Sequence, residues 1–220
     1  MQRILLEGNI GAGKSTLGRS INGRLIEGQK IEYLKEPVAQ WTSTPRGNLL
    51  AKCSADPAAR ASMFQVLTMQ TMATSRREAF ESKIEEKTLF LEERSIYSSR
   101  NVFTQINFIQ NKISEDSLYI LDSLFKDYTK NDDILGIIYL ECNVDTAMKQ
   151  INERAHTADT LLTREYVKQV DDGYRKWLER VSWPVIKVDA SESASTVKDS
   201  VLEALEQLLY HEQNNKSGMN

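Results

Sequence analysis

Eight residues near the start of the chain, Gly8-Asn9-Ile10-Gly11-Ala12-Gly13-Lys14-Ser15, fit the pattern G-x-x-x-x-G-K-[ST]. An apolar run, Ile4–Glu7, leads into them and an amphipathic stretch follows, which is the setting this pattern needs to be a phosphate-binding loop. Glycines let the backbone curl so that successive N–H groups face phosphate oxygens, and the helix that follows adds a partial positive charge. Lys14 is then placed to reach the β- and γ-phosphates of a nucleoside triphosphate, and the Ser15 hydroxyl to ligate Mg²⁺. The candidate nucleotide-binding residues are Gly8, Asn9, Ile10, Gly11, Ala12, Gly13, Lys14, Ser15 and Thr16.

A phosphate loop does not name a reaction; the neighbouring strand ends must do so, because ligands of open α/β sheets sit beyond the carboxyl ends of the strands. Two of those ends carry charge. One apolar run leads into Glu36-Pro37 and another into Glu92-Glu93-Arg94-Ser95. Beside a phosphate loop, one carboxylate can take a proton from an acceptor hydroxyl and a second can hold Mg²⁺. An arginine can neutralise charge developing on a transferred phosphoryl group.

These residues need a scaffold, and the rest of the chain describes one. Of 220 residues, 40% are hydrophobic and 27% charged, the proportions of an ordinary globular protein. A net charge of −3 offers no basic excess to neutralise a nucleic-acid backbone, so nucleic acid is not an expected partner. Two cysteines, Cys53 and Cys142, cannot build a disulfide scaffold, and two histidines argue against a histidine-rich metal site. No stretch reaches the ~20 apolar residues of a membrane span. With no targeting segment read ahead of the first strand, the expected setting is intracellular and cytoplasmic.

Five short runs read as strands: Ile4–Glu7, Lys30–Lys35, Thr88–Glu92, Gly136–Glu141 and Pro184–Val188. Helical patterns alternate with them over Lys14–Leu25, Pro57–Ser82, Ser95–Asn111, Ser114–Tyr128, Val144–Arg154, Arg164–Val181 and Ala194–His211. Val102, Ile106 and Ile109 form one stripe expected to be buried, and Asp56-Pro57 reads as a helix start. Alternation predicts an α/β fold, a five-stranded parallel sheet with helices on both faces. The expected organisation is one domain over 1–212 and a polar tail over 213–220.

Further residues share a pattern with the loop and the charged strand ends. Glu36-Pro37-Val38 with Trp41, then Phe64-Gln65, then Glu93-Arg94-Ser95-Ile96-Tyr97-Ser98 with Arg100 and Phe103 resemble the deoxyribonucleoside kinases of the deoxycytidine kinase, mitochondrial thymidine kinase and insect multisubstrate type. The resemblance runs on through Leu140–Leu178. It implies a three-layer nucleoside-kinase-like fold with sheet order 2-3-1-4-5, a homodimer, and ATP and Mg²⁺ as phosphate donor and metal. The implied reaction moves the γ-phosphoryl group of ATP to the 5′-hydroxyl of a deoxyribonucleoside.

The resemblance also implies roles. Glu36 is the expected base, Arg94 the cation beside the 5′-hydroxyl, and Glu93, with Ser15, the metal side. Gln65 is expected to bond the base edge, Phe103 to stack on the base and Trp41 to wall the pocket. Gln65, Thr68 and Met72 repeat at i, i+3 and i+7 along one helix face. A lid is expected near residues 152–159, with Arg154 as its catalytic arginine and Asp159 toward the sugar 3′-hydroxyl. Asn152 and His156 replace two arginines of the family's lid, and Ser54 replaces a tyrosine.

In relatives that exclude thymidine, an arginine and an aspartate meet over the base. The matching positions here, Met72 and Ser99 with Thr68 one turn before, carry no charge, so thymidine and deoxycytidine are both expected substrates. Two rival readings are weighed. A nucleoside monophosphate kinase would need arginines around its acceptor. A regulatory GTPase is suggested by Thr129-Lys130-Asn131-Asp132 and Asp133-Ile134-Leu135-Gly136, but these abut in the wrong order after a helix.

Overall fold

The computed structural model describes residues 2–83, 87–154 and 162–217. Its elements in chain order are β1 Arg3–Gly8, α1 Lys14–Ile21, β2 Leu25–Ile26, β3 Gln29–Leu34, α2 Ala39–Thr42, α3 Leu49–Ala55 and α4 Pro57–Ser82. There follow β4 Thr88–Glu93, α5 Ile96–Ser98, a π-turn Ser99–Thr104, α6 Gln105–Ile109 and α7 Glu115–Thr129. The chain ends with β5 Ile134–Glu141, α8 Val144–Arg154, α9 Arg164–Leu178, β6 Val185–Asp189 and α10 Ala194–Ser217.

The sheet has six strands in the order β2-β3-β4-β1-β5-β6, one more than the five expected. The added member is β2, antiparallel to β3 and at the sheet edge; the other strands pair in parallel. Residues Leu25 and Ile26 were expected to end or follow the first helix. Instead α1 stops at Ile21, Gly23 donates its N–H to the Ile31 carbonyl at 2.8 Å, and the chain reverses. Glu27 and Gly28 both take positive φ, 48° and 72°, the backbone a two-residue hairpin turn requires.

Strand alternation sorts side chains onto two faces. Ile4 and Leu6 of β1, Leu89 and Leu91 of β4 and Ile31 of β3 join Leu17, Ile21, Ile151 and the apolar residues of α10 in one core. Leu5, Ile137 and Tyr139 face the other way, against Val102, Ile106, Val170, Tyr174 and Trp177. A third cluster, Trp41, Ala61, Met69, Met72, Ile96, Ile113 and Leu121, lies among helices beyond that face. This is a mostly parallel sheet clothed by helices on both sides.

The helix expected over 95–111 is broken into α5, the π-turn and α6. Its stripe holds at Val102 and Ile106, but Ile109 is 72% exposed. The helix ends there because Asn111 takes the left-handed conformation, φ 55°, that closes helices. The Asp56-Pro57 start is present: Asp56 accepts from the Ala59 N–H at 3.3 Å, with Pro57 in the first turn. Where a tail was expected, α10 continues to Ser217.

One close approach ties the fold to the loop. A Cβ on Gly18 would lie 2.1 Å from the Tyr33 ring, so α1 can pack on β3 with that ring between them only if residue 18 is glycine. Gly18→Ala overpacks this contact and is expected to lower the unfolding free energy by about 1–3 kcal/mol in urea denaturation. Pairing it with Tyr33→Leu, which frees the space, should recover part of the loss.

Candidate active site

Between β1 and α1 the chain turns through Gly11 and Gly13, at φ 83° and 81°. Gly11 has a second constraint, since a Cβ there would stand 2.6 Å from the Ala147 carbonyl oxygen. The α1 N-terminus has no side-chain cap and no acidic residue in its first turn, leaving its positive end for an anion. Asn9 anchors the loop: its Nδ2 donates to the Val167 carbonyl at 3.0 Å, and its Oδ1 accepts from the Ile10 N–H at 2.8 Å. Lys14 Nζ folds back onto the Gly8 and Asn9 carbonyls, at 2.8 Å each. Burial and the nearby Arg94 push its ammonium down to about 8, opposed by Glu93, Glu36 and Glu7.

The second predicted metal-side residue, Glu93, meets the first. Ser15 Oγ donates to Glu93 Oε1 at 2.5 Å, and the Tyr33 hydroxyl donates to the other carboxylate oxygen. Alternation explains the pairing, because Glu93 and Tyr33 point to the α1 face along with Leu91 and Ile31. Glu92, one residue back, points the other way and pairs with the buried Arg3 at 2.5 Å. Ser15 and Glu93 offer hard oxygens beside a phosphate loop. That donor set fits Mg²⁺, which takes one or two protein ligands and completes its shell with phosphate and water. Tyr33 was not foreseen; an aromatic hydroxyl two residues after Ile31, on the same strand face, was the available signal.

Glu36 and Arg94 also come together, from just beyond the ends of β3 and β4. Arg94 Nε lies 3.1 Å from Glu36 Oε1, an approach of charges in which that N–H makes no hydrogen bond. The guanidinium stands over the Phe103 ring, 4.5 Å from its centroid. Arg94 holds a positive φ of 54°, unusual for a side chain of this size, while its N–H donates to the Leu6 carbonyl at 3.1 Å. This turn aims the guanidinium back across the strand end toward Glu36 and Phe103.

Beneath them lies a carboxylate that the motif reading missed. Glu7 is fully buried, and its Oε1 accepts from the Ser95 N–H at 3.0 Å and the Ser95 hydroxyl at 2.6 Å. Its Oε2 accepts from the Tyr174 hydroxyl at 2.8 Å. Burial raises its pKa; these hydrogen bonds and Arg94 oppose the rise. A glutamate closing an otherwise apolar strand was the visible clue.

Gln65 is buried on α4, and its Oε1 accepts from Ser99 at 3.1 Å and Thr104 at 3.3 Å. Thr68 is buried one turn on, its hydroxyl donating to the Phe64 carbonyl at 2.9 Å. Trp41 donates to Thr71 Oγ1 at 2.8 Å, meets Phe64 edge-on with centroids 5.9 Å apart, and shares an apolar cluster with Met72. Phe103 sets its ring edge-on to Tyr174 at 6.5 Å. Ser54 is exposed on α3, its hydroxyl returning to the Leu50 carbonyl at 3.0 Å. Of the expected lid, Asn152 is exposed on α8. The Arg154 side chain, His156 and Asp159 lie outside the described residues.

The two short matches to GTPase motifs lead elsewhere. Asp132 is committed to structural ion pairs, with Arg3 at 2.5 Å and Arg76 at 3.2 Å, and Asp133 to Gly136 simply enter β5.

Residues 4–210 match the family described as deoxynucleoside kinase. A probable deoxycytidine kinase of fowlpox virus is 30% identical over 193 residues, 87% of this chain and 77% of that protein. The human mitochondrial thymidine kinase 2 is 25% identical, covering 85% of this chain and 70% of its own. A chicken (Gallus gallus) deoxycytidine kinase 2 is 27% identical over 81% of this chain and 74% of the relative. With a match from the first strand to the last helix, the chain belongs to the deoxynucleoside kinase family.

Proposed function

We propose that this kinase moves the γ-phosphoryl group of ATP to the 5′-hydroxyl of pyrimidine deoxyribonucleosides, accepting both thymidine and deoxycytidine. The observation that carries the reading is the meeting of Glu36 and Arg94, 3.1 Å apart, at strand ends that also bring Glu93 to Ser15 of the phosphate loop. In this reading the loop amides and Lys14 hold the β- and γ-phosphates. Glu36 takes the 5′-hydroxyl proton as that oxygen bonds to the γ-phosphorus and the bond to the β-phosphate oxygen breaks, releasing ADP. Arg94 orients Glu36 and offsets charge on the transferred group. Ser15 and Glu93 would hold Mg²⁺, which when bound neutralises charge across the phosphate oxygens. Arg154 would add a second cation, and Asp159 would meet the sugar 3′-hydroxyl.

Trp41, Gln65, Thr68, Met72, Ser99 and Phe103 form the acceptor side, with no charge among them. That suits a neutral nucleoside better than a monophosphate. Gln65 would bond the base edge while Phe103 stacks on it. The similarity to proteins named deoxycytidine kinase and thymidine kinase supports both pyrimidines. A homodimer is part of the same reading. A cavity of about 940 Å³ runs between the π-turn with α6 and α9, where Val102, Ile106, Ile109 and Trp177 alternate with polar and charged residues such as Gln105, Asp172 and Lys176. A groove that mixes exposed apolar and charged side chains in this way is where the same face of a second copy would dock.

Lys14→Ala removes the fixed partner of the phosphate charge, and no phosphoryl transfer from labelled ATP should remain measurable. Circular dichroism should show the fold retained. Glu36→Gln keeps the shape but not the proton acceptor; kcat should fall by roughly 10²–10⁴ with nucleoside KM little changed. Substrate choice is decided by kcat/KM for the four natural deoxyribonucleosides under one set of conditions. Both pyrimidines should lead and both purines trail; a best purine, or no turnover of thymidine, would refute the pyrimidine assignment.

A further inference from the structure

Ser99 and Thr104 stand five residues apart, at the two ends of the π-turn. In an α-helix that spacing turns two side chains about 140° from one another. A π-turn, whose hydrogen bonds run from i to i+5, brings them back to one side. Both hydroxyls here reach the same atom, Gln65 Oε1, at 3.1 and 3.3 Å. All three side chains are buried, with 6% of Gln65, 1% of Ser99 and none of Thr104 exposed. A regular helix over the same residues would present one of these hydroxyls to Gln65, not both.

We propose that Thr104, with Ser99, is a positioning residue for the Gln65 amide, and that this hydroxyl pair lets the amide read either pyrimidine. The inference rests on the reading of Gln65 as the group that bonds the base edge. An amide offers an acceptor at one end and a donor at the other. Cytosine presents a donor amine at C4 and an acceptor at N3; thymine presents an acceptor at C4 and a donor at N3. One bound pose therefore serves both bases only when the Gln65 amide turns end over end.

A buried partner that could only donate, or only accept, would favour one orientation, because a hydrogen bond left unmade away from water is costly. A hydroxyl does either. Ser99 and Thr104 donate to Oε1 in the orientation seen here; after the amide turns, one N–H of Nε2 faces the base and the two hydroxyls share the other as acceptors. The cradle is indifferent to which way the amide lies, and two contacts limit its tilt. The π-turn is the backbone device that supplies the second hydroxyl.

Thr104→Val keeps the side-chain shape and removes the hydroxyl, and Thr104→Ser keeps the hydroxyl. Steady-state kinetics on purified protein should show Thr104→Val raising KM for thymidine and for deoxycytidine alike, by roughly 3–10-fold. Their kcat values and the KM for ATP should stay near wild type, and the ratio of kcat/KM between the two pyrimidines should hold within about threefold. Thr104→Ser should restore wild-type KM. A Thr104→Val enzyme with both KM values within threefold of wild type overturns the proposal, as does a failed rescue by serine. A larger change in the pyrimidine ratio also overturns it, by showing an amide held one way. Should Thr104→Val not fold, Ser99→Ala carries the same expectations through the other hydroxyl. Wild-type protein that phosphorylates neither pyrimidine would overturn the function reading and this proposal together; an active wild type with an unaffected Thr104→Val removes this one alone.

Discussion

Glu7 stands near the end of β1 with no exposure to water, and Glu93 and Arg94 at the end of the neighbouring β4, with Lys14 at the start of α1, are almost as deeply enclosed. A charge removed from solvent is tolerated only with partners, and removing one partner leaves the other exposed to the full cost. The surrounding structure supplies them one by one. Ser95 and Tyr174 satisfy Glu7, Ser15 and Tyr33 satisfy Glu93, and the Gly8 and Asn9 carbonyls take the Lys14 ammonium. Helices α1, α5 and α9, with strand β3, are therefore fixed in place by charge as well as by apolar packing.

Two local departures from regular backbone serve this arrangement. Arg94 adopts a left-handed conformation where β4 ends, and that single residue redirects its guanidinium to Glu36 and Phe103. A few residues later the π-turn brings Ser99 and Thr104 to one side of the helix, against Gln65. Backbone strain costs stability and persists where packing on all sides leaves no alternative. Both departures lie in the same segment, between β4 and α6, which joins the phosphate side of the site to the acceptor side.

A second buried ion network centres on Arg3, the first residue of β1. Arg3 pairs with Glu92 and Asp132, and Arg76 and Tyr97 reach the same aspartate. Glu93, the residue after Glu92, faces the phosphate loop instead. Strand alternation assigns the two adjacent glutamates opposite employment, one in holding the sheet and helices together and one at the site.

The sequence by itself determined the phosphate loop, because its glycines, lysine and serine are local and act on their immediate backbone. It also determined the parallel strands, whose apolar runs are short and sharply bounded, and put Glu36 and Arg94 at strand ends; that the two meet was decided by the tertiary structure. The hairpin at Leu25–Ile26 was hidden, since its stability comes from β3 across a two-residue turn and not from any run of its own. Glu7 and Tyr33 were hidden for a related reason. Their partners, Tyr174 and Glu93, are far along the chain, and only the strand order brings them within hydrogen-bond distance. The π-turn was hidden most completely, because Ser99 to Thr104 carries a helical pattern, and nothing in that pattern marks the extra residue of a turn packed against α4 and α9. Short-range chemistry is written in residue types and spacing. The partners that make buried charge tolerable are chosen by tertiary structure, because burial is a property of the whole fold.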